Sequence, residues 1–382
     1  MESKRLKLPI GIQTFEKLRE DNCVYVDKTK YLVDLIDKFN VCFLARPRRF
    51  GKSLTVSTFD ALFSGKKELF KGLAAEEFLN RPDFETNPVI RMDMSSIATY
   101  LGIHVFETSL KQLTIESAEK LDVNVPELLS SSDIFKNLII NTAKKYNQKV
   151  VILIDEYDSP YTDFVNDFEM AEKVRDVLRN FYKQIKVNDE YIRFVFITGI
   201  SKFAKFGVFS TLNNLRDISL MPGYAEICGY TEEEIIRYFP EYLEETASYM
   251  KITTSMLIEK MRLYYNGFSF DIDAQARLYN PFSTLLFFGD KVFFNYWMDT
   301  GRSKTIADYL KNRNLTVEQF PCFKRFCPKS GRCGYRSSRR IFVSMRILDF
   351  ASRNYRRSFF GLPQYRSLKL NVGAGRPKYF TG

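Results

Sequence analysis

Short apolar runs alternate with amphipathic stretches between residues 33 and 315. The apolar runs predict strands at Val41–Ala45, Val89–Met94, Val150–Ile154 and Ile192–Ile197, with a last short strand at Asp217–Leu220. The amphipathic stretches predict helices at about Lys52–Phe63, Val105–Lys120, Ile134–Tyr146 and Ala171–Gln184. Strands that are apolar throughout and alternate with helices indicate an α/β fold with a mainly parallel sheet flanked by helices.

The pattern changes at Thr231, where a hydroxyl residue precedes three glutamates and forms a good helix start. Further helices are predicted at about Thr254–Tyr264 and Pro281–Phe288. We therefore expect four parts: a lead segment at 1–35, an α/β core at 36–224, a C-terminal helical lid at 225–320 and an anomalous tail at 321–382.

Composition narrows the class of protein. Apolar residues make up 45% of the 382 residues, as in globular proteins. We expect no membrane association and a cytoplasmic location, because no apolar run reaches the roughly 18 residues of a membrane helix and the N-terminus does not resemble a signal peptide. Cys23, Cys42 and Cys228 are scattered, which favours reduced core residues. His104 is the only histidine and lies in no catalytic motif, which argues against histidine-dependent nucleophilic catalysis.

The turn after the first predicted strand is the main chemical signal. It ends in Gly51-Lys52-Ser53, the last three positions of the phosphate-loop pattern G-x-x-x-x-G-K-[ST], and has Arg46 at the first glycine. Backbone N–H groups at such a helix start hold phosphate, Lys52 would reach the β- and γ-phosphates of ATP, and Ser53 would bind Mg²⁺. An ordinary lysine at a helix start is the alternative. The candidate cofactor-binding residues of this loop are Arg46, Arg48, Arg49, Phe50, Gly51, Lys52, Ser53 and Leu54.

Two acids follow the third predicted strand in the string VVILIDEYD. Strand ends line the ligand crevice of a parallel sheet, so Asp155 is expected to hold Mg²⁺ through water and Glu156 to polarise the attacking water as a general base. Solvated turn acids are the alternative. Two independent elements in the right order favour a Mg²⁺-dependent ATPase site in which Glu156 and Lys52 are catalytic.

The arginines and the fourth strand leave several interpretations open. Thr198 or Ser201 could sense the γ-phosphate or the lytic water, or could simply form a turn. Arg46, Arg48 and Arg49 could clamp phosphate, act across the interface of a homo-oligomer, or be solvated.

The chain resembles the AAA-ATPase-like family of bacterial P-loop ATPases. The resemblance covers residues 8 to about 284 and rests on LPIGIQTFEKLRE, YVDKTKYL, FLARPRRFGKSL, VVILIDEYDSP, FITGISKF, LNNLRDIS and YNPFS. It implies nucleotide-site roles for Lys52, Ser53, Asp155 and Glu156, and it accounts for Arg46, because the family also replaces the first glycine. Asp27 and Lys28 lie in one of these motifs without an assigned role; a turn with a salt bridge is the simplest interpretation.

Proteins of this family usually continue into a PD-(D/E)xK nuclease domain that cuts DNA, and no such domain is recognisable in this sequence. The first hypothesis is therefore an ATP-hydrolysing remnant of an ATPase–nuclease protein, with DNA as a partner of the lost half. The second is a nucleotide-dependent binding module or switch without significant turnover, which would need Lys52 and Ser53 but not Glu156.

The tail differs from the rest of the chain in charge. Residues 322–382 hold 15 basic residues and one acid, a net charge of +14; since the whole chain carries +11, residues 1–321 carry −3.

The tail has three interpretations. A zinc site is the first, but Cys322, Cys327 and Cys333 fit no common zinc spacing, and an arginine-rich nucleic-acid arm is the second. We favour a third interpretation: with a suitable choice of codons, a shift of the reading frame by one nucleotide turns RIFVSMRILDF into GFLYQCGYLT, which resembles the family. A frameshifted tail from about Pro321 is expected to be disordered.

Overall fold

A parallel five-stranded sheet forms the centre of the protein. The computed structural model describes residues 5–99, 102–126, 129–164, 167–200, 205–209, 212, 214–271, 275–294 and 296. Its elements up to the last sheet strand are α1 (Phe15–Glu20), α2 (Thr29–Lys38), β1 (Val41–Ala45), α3 (Lys52–Phe63), α4 (Ala75–Leu79), β2 (Val89–Asp93), α5 (Ile103–Lys120), α6 (Ser131–Tyr146), β3 (Val150–Asp155), α7 (Ser159–Thr162), α8 (Phe168–Val187), β4 (Ile192–Gly199), α9 (Lys205–Val208) and β5 (Arg216–Asp217). The strand order is β2-β3-β4-β1-β5, and every pairing is parallel.

Helices cover both faces of this sheet because its central strands are apolar on both sides. Ile152 and Ile154 of β3 pack with α5, α6 and α8, whereas Val151 and Leu153 point to the other face and pack with α1 to α4. All of β3 is buried. The α/β fold with a mainly parallel sheet flanked by helices is thus confirmed.

A separate group of helices follows the sheet. It comprises α10 (Glu232–Tyr238), α11 (Pro240–Tyr249), α12 (Thr254–Tyr265), a hairpin of β6 (Asn266–Phe268) and β7 (Leu278–Tyr279), and α13 (Pro281–Asp290). Residues 225–290 are called the helical segment below. Its apolar side chains form a third core cluster, joined by Val24 and Val26 from the N-terminal part of the chain.

The predicted helix start at Thr231 is confirmed as a capping box. The Thr231 hydroxyl accepts from the backbone N–H of Glu234 at 3.1 Å, and the Glu234 carboxylate accepts from the backbone N–H of Thr231 at 2.9 Å. The lid boundary at residue 320 and the tail at 321–382 lie outside the described residues.

Four strands differ from the prediction at their ends: β2 and β3 by one residue each, and β4 and β5 by more. β4 continues to Gly199 because the hydroxyl of Thr198 is hydrogen-bonded inside the sheet and not to solvent. β5 ends at Asp217, since the chain then bends and the Ser219 hydroxyl accepts from the backbone N–H of Ala45 at 2.8 Å. No helix in the described part of the chain is both long and apolar enough to cross a membrane.

Candidate functional site

The phosphate-loop residues lie beside the end of β4, which separates β1 from β3. Ala45 at the end of β1 pairs with Gly199 of β4, and Asp155 at the end of β3 pairs with Asp93 of β2. The parallel topology therefore brings the loop at 46–51, Thr198 and Asp155–Glu156 to the same edge of the sheet, where ligands of such folds bind.

The loop turns into α3 through two left-handed residues, Arg49 with φ +66° and Gly51 with φ +93°. Lys52 begins the helix and is buried, and its ammonium donates to the carbonyl of Pro47 at 3.1 Å. Burial lowers the pKa of Lys52, and the nearby charges of Glu156 and Asp155 oppose that shift. The Lys52 cation is thus held inside its own loop by a single carbonyl, which a phosphate oxygen could replace.

Ser53 occupies the second position of α3 and is partly buried. Among the described residues its hydroxyl makes no hydrogen bond. A free hydroxyl beside Lys52 suits a metal ligand, the role expected of it from the sequence.

Asp155 and Thr198 form a hydrogen-bonded pair across neighbouring strands. The Thr198 hydroxyl donates to Oδ1 of Asp155, which also accepts from the backbone N–H of Glu156 at 3.1 Å. Both side chains are buried, at 5% and 0% exposure. The pair fixes one oxygen of the Asp155 carboxylate.

Glu156 is held in an unusual backbone conformation with φ +49°, which is uncommon for a residue with a side chain. Its carboxylate has no hydrogen bond or ion pair among the described residues. Burial raises its pKa, while Lys52 and Arg48 act in the opposite direction. The site therefore contains a carboxylate without a hydrogen bond to the described residues, and the charges of Lys52 and Arg48 act on it.

Arg46 corrects one sequence interpretation. It is only 1% exposed, so it is not a solvated arginine. Its guanidinium donates to the carbonyls of Ser219, Tyr224 and Ala225, and so is engaged by the protein itself. Because the chain bends towards the loop after β5, these carbonyls converge on the position where a common phosphate loop has glycine.

The remaining loop residues lie in different surroundings. Arg49 is exposed and lies over the ring of Phe282 at 4.2 Å. Phe50 is fully buried and does not face solvent. Leu54 is partly buried and packs with the core on the α3 side of the sheet. Arg48 is partly buried, and its Nε has no hydrogen-bond partner. Of the loop arginines, Arg48 is the one whose charge acts on Glu156.

Two acids near the site were not singled out from the sequence. Asp93 pairs with Asp155 in the sheet and helps to raise the pKa of Glu156. Asp158 is fully buried and accepts from the backbone N–H of Ile200 at 3.1 Å, which fastens the end of β4. Asp93 could have been found as an acid ending a predicted strand, whereas Asp158 carries no such signal. Ser201, the alternative to Thr198, lies outside the described residues.

The motif containing Asp27 and Lys28 is a turn with a salt bridge, as its simplest interpretation predicted. Asp27 accepts from the backbone N–H and hydroxyl of Thr29 at 2.8 and 2.7 Å. The Lys28 ammonium contacts both carboxylate oxygens of Glu234 at 2.5 and 2.6 Å. Lys28 thus joins the N-terminal part to the start of α10.

Fold and loop together define a P-loop NTPase core. Residues 9–209, more than half of the chain, match the family described as AAA-ATPase-like, predicted AAA-ATPase. The chain belongs to this family, which confirms the resemblance.

The chain is also similar to individual proteins. The chain is 37% identical over 311 residues to a protein described as an uncharacterized protein in the vnfD 5′ region of Azotobacter chroococcum mcd 1, covering 81% of this chain but 57% of that relative's length. Among solved structures, Cdc6p of Pyrobaculum aerophilum is 13% identical with a TM-score of 0.30 and covers 62% of this chain and 49% of its own. Orc1 of Aeropyrum pernix in complex with DNA is 11% identical with a TM-score of 0.34, and the match covers 85% of this chain and 82% of the Orc1 chain. At these scores neither structure supports an argument about ligands.

Proposed function

We propose that the protein binds ATP with Mg²⁺ and hydrolyses it. The proposal rests on one observation. A buried lysine on a phosphate loop, a hydrogen-bonded aspartate and a glutamate without an ion pair among the described residues lie together at one edge of the sheet. Lys52 would exchange the Pro47 carbonyl for phosphate oxygens. Glu156 would accept the proton of the attacking water.

The residues present fit Mg²⁺. Ser53 offers a free hydroxyl and Asp155 a carboxylate at the neighbouring strand end. No cluster of three or more metal-binding side chains occurs in the described residues, and Mg²⁺ bound with a nucleotide needs only one or two protein ligands because phosphate and water supply the others. When bound, the ion would neutralise phosphate charge, and Thr198 would keep Asp155 oriented.

The test uses the full chain with ATP and Mg²⁺. Lys52→Ala should weaken nucleotide binding about tenfold or more, because a charge-assisted contact is worth about 1.5–3 kcal/mol. Glu156→Gln should keep binding and lose about 100-fold or more in turnover, the usual contribution of a general base. Lys173→Ala and Glu169→Gln, an exposed pair on α8, are the matched controls. Unchanged binding and turnover in both site variants would refute the assignment.

A switch without significant turnover is the second candidate. It is favoured by the contacts of Arg46 and Arg49 with the helical segment, which leave Arg48 as the loop arginine that is not engaged there. Tight ATP binding by the wild-type chain, without hydrolysis even when DNA or added protein is present, would support this candidate over the ATPase.

The chain spans 57% of its curated relative, so the activity of a whole protein is a further proposal. We propose that it is the ATPase part of an ATPase–nuclease protein, and that the segment after about Pro321 is read in a shifted frame. Sequencing the gene around codons 318–330 tests this. A one-nucleotide change should open a frame encoding GFLYQCGYLT and a nuclease region, and an uninterrupted gene without such a frame would refute it.

A further inference from the structure

Arg46 is one of the largest fully buried side chains in the described part of the protein. Its Nη1 donates to the carbonyls of Ala45 and Ser219 at 3.0 and 2.8 Å. Its Nη2 donates to the carbonyls of Tyr224 and Ala225 at 3.0 and 3.3 Å. One guanidinium thus joins the start of the phosphate loop to two backbone segments that lie more than 170 residues further along the chain.

This cation is held without a carboxylate partner among the described residues. The Phe270 ring lies beneath it, 4.1 Å from the guanidinium carbon to the ring centroid. Burial lowers the pKa of Arg46 to about 10, so it remains protonated at neutral pH. An uncompensated buried charge is costly, and the four carbonyls and the ring are what stabilise it here. The wide planar fork of arginine is needed to reach them all, which lysine cannot do.

The same loop touches the helical segment at two more points. Phe50 packs against Phe268 and Phe270, with ring centroids 4.7 and 5.2 Å apart. Arg49 lies over Phe282. Three sequence motifs therefore meet at the loop: RPRRFGKS, the LNNLRDIS string that ends in Ser219, and the YNPFS string that contains Phe282.

These contacts decide between the roles open to Arg46. A phosphate ligand needs N–H groups that are open to the ligand, whereas both Nη atoms of Arg46 already donate to carbonyls, and its Nε, which has no hydrogen-bond partner among the described residues, is buried. A tolerated surface substitution is excluded by burial. The remaining role is mechanical, because the residue at the first position of the loop controls where the loop leaves β1.

We propose that Arg46 is a positioning residue, which fixes the start of the phosphate loop against residues 219–225 and Phe270 without touching the ligand. The loop then keeps a nucleotide-binding shape only while this part of the chain is packed against it. The proposal rests on the proposed nucleotide site and adds that binding there depends on the helical segment.

Arg46→Gly is the sharpest variant, since it restores the glycine of the common pattern while removing the contacts. The full chain is tested with a fluorescent ATP analogue and by amide hydrogen exchange without nucleotide. We expect about tenfold weaker binding or more, because buried carbonyls lose their donors. Exchange at 219–225 should become about tenfold faster. Arg46→Lys should lie between Arg46→Gly and the wild type, because it keeps the charge but reaches fewer carbonyls.

Arg19→Met is the matched control for Arg46→Met. Arg19 also donates to two backbone carbonyls, those of Leu69 and Lys71, and neither carbonyl belongs to the phosphate loop or to residues 219–225. It should leave analogue binding within about twofold, since surface contacts of this kind contribute little. If Arg46→Gly misfolds, Arg46→Lys and Phe270→Leu provide the same comparison through partial loss of the contacts.

The possible results are distinct. Equal or tighter analogue binding by Arg46→Gly, with unchanged exchange at 219–225, would overturn the proposal. Weaker binding in Arg46→Met and Arg19→Met alike would also overturn it, because the effect would then be general destabilisation. If the wild-type chain binds no nucleotide, the proposed function fails, and the exchange comparison in the free protein still decides whether Arg46 fixes the loop.

Discussion

The ion pair between Lys28 and Glu234 offers a quantitative test of how the N-terminal part is joined to α10. The side chains of Lys28 and Glu234 are 11% and 20% exposed, and the ammonium contacts both carboxylate oxygens. The same carboxylate closes the capping box on Thr231. Glu234→Gln keeps an oxygen for the cap but leaves the Lys28 ammonium buried without its ion-pair partner, and only the charge of Glu226 still acts on it.

Breaking one side of a buried pair costs about 3–5 kcal/mol, since the remaining charge stays desolvated. We therefore expect Glu234→Gln to lower the free energy of unfolding by about 3 kcal/mol. The double variant Lys28→Met with Glu234→Gln should recover most of this loss, because no unpaired charge remains. The side chains of Lys173 and Glu169 are 52% and 82% exposed, so breaking this pair should lower the free energy of unfolding far less than Glu234→Gln does.

Urea denaturation is measured for the wild type, for Glu234→Gln, for the double variant and for a variant in which the Lys173–Glu169 pair is broken. The midpoints give the differences in the free energy of unfolding, provided that the slope of this free energy against urea concentration is unchanged. Two results would refute the reasoning. One is a loss below about 1 kcal/mol in Glu234→Gln, comparable to an exposed pair. The other is a double variant as unstable as Glu234→Gln alone, which would show that the cost comes from lost packing and not from the unpaired ammonium.

Three further predictions concern the nucleotide site. Glu156→Gln should raise the melting temperature at pH 8. Burial raises the pKa of Glu156 in the folded state, so the stability that protonation provides is present below pH 4.5 and lost as pH rises through the raised value, and melts at pH 4 should show no gain. Thr198→Val should cost about 1–3 kcal/mol by denaturation because Asp155 loses a buried donor, and Thr198→Ser should cost less. Gly51→Ala should cost about 1–2 kcal/mol from its φ of +93°, since no atom lies within 4 Å of the added carbon, and Gly223→Ala, equally open but without a positive φ, should cost less than about 0.5 kcal/mol.

The sheet and its main helices were predictable because burial on both faces leaves long apolar runs in the sequence. The strand at Val150–Asp155 illustrates this, since every residue in it is buried. The hairpin of β6 and β7 was not predicted, because paired stretches of three and two residues are too short for periodicity to show. The end of β4 was missed because Thr198 resembles a turn residue until its hydrogen bond to Asp155 is known.

The candidate site also contains residues whose place the sequence predicts and residues whose place it does not. The common edge at which Lys52, Ser53, Asp155 and Glu156 lie was predictable, because each expected role demands one residue type at one place in the strand–loop–helix order, and the roles themselves stay predictions. The place of Arg46 was not, because arginine in a polar loop is ordinarily exposed. Its burial depends on carbonyls more than 170 residues away along the chain, and no local pattern indicates that they converge there.

The loop string RPRRFGKS therefore contains two kinds of residue. Lys52 and Ser53 supply the groups suited to phosphate and metal, whereas Arg46 and Phe50 face inward and pack on the helical segment. In a loop that starts with glycine, the backbone can approach phosphate because no side chain intervenes. Here a long side chain occupies that position and points away from the site, so the loop start is fixed by packing. A sequence with arginine at this position should consequently need matching partners downstream, and transferring the eight-residue loop alone into another P-loop protein should not carry nucleotide binding with it.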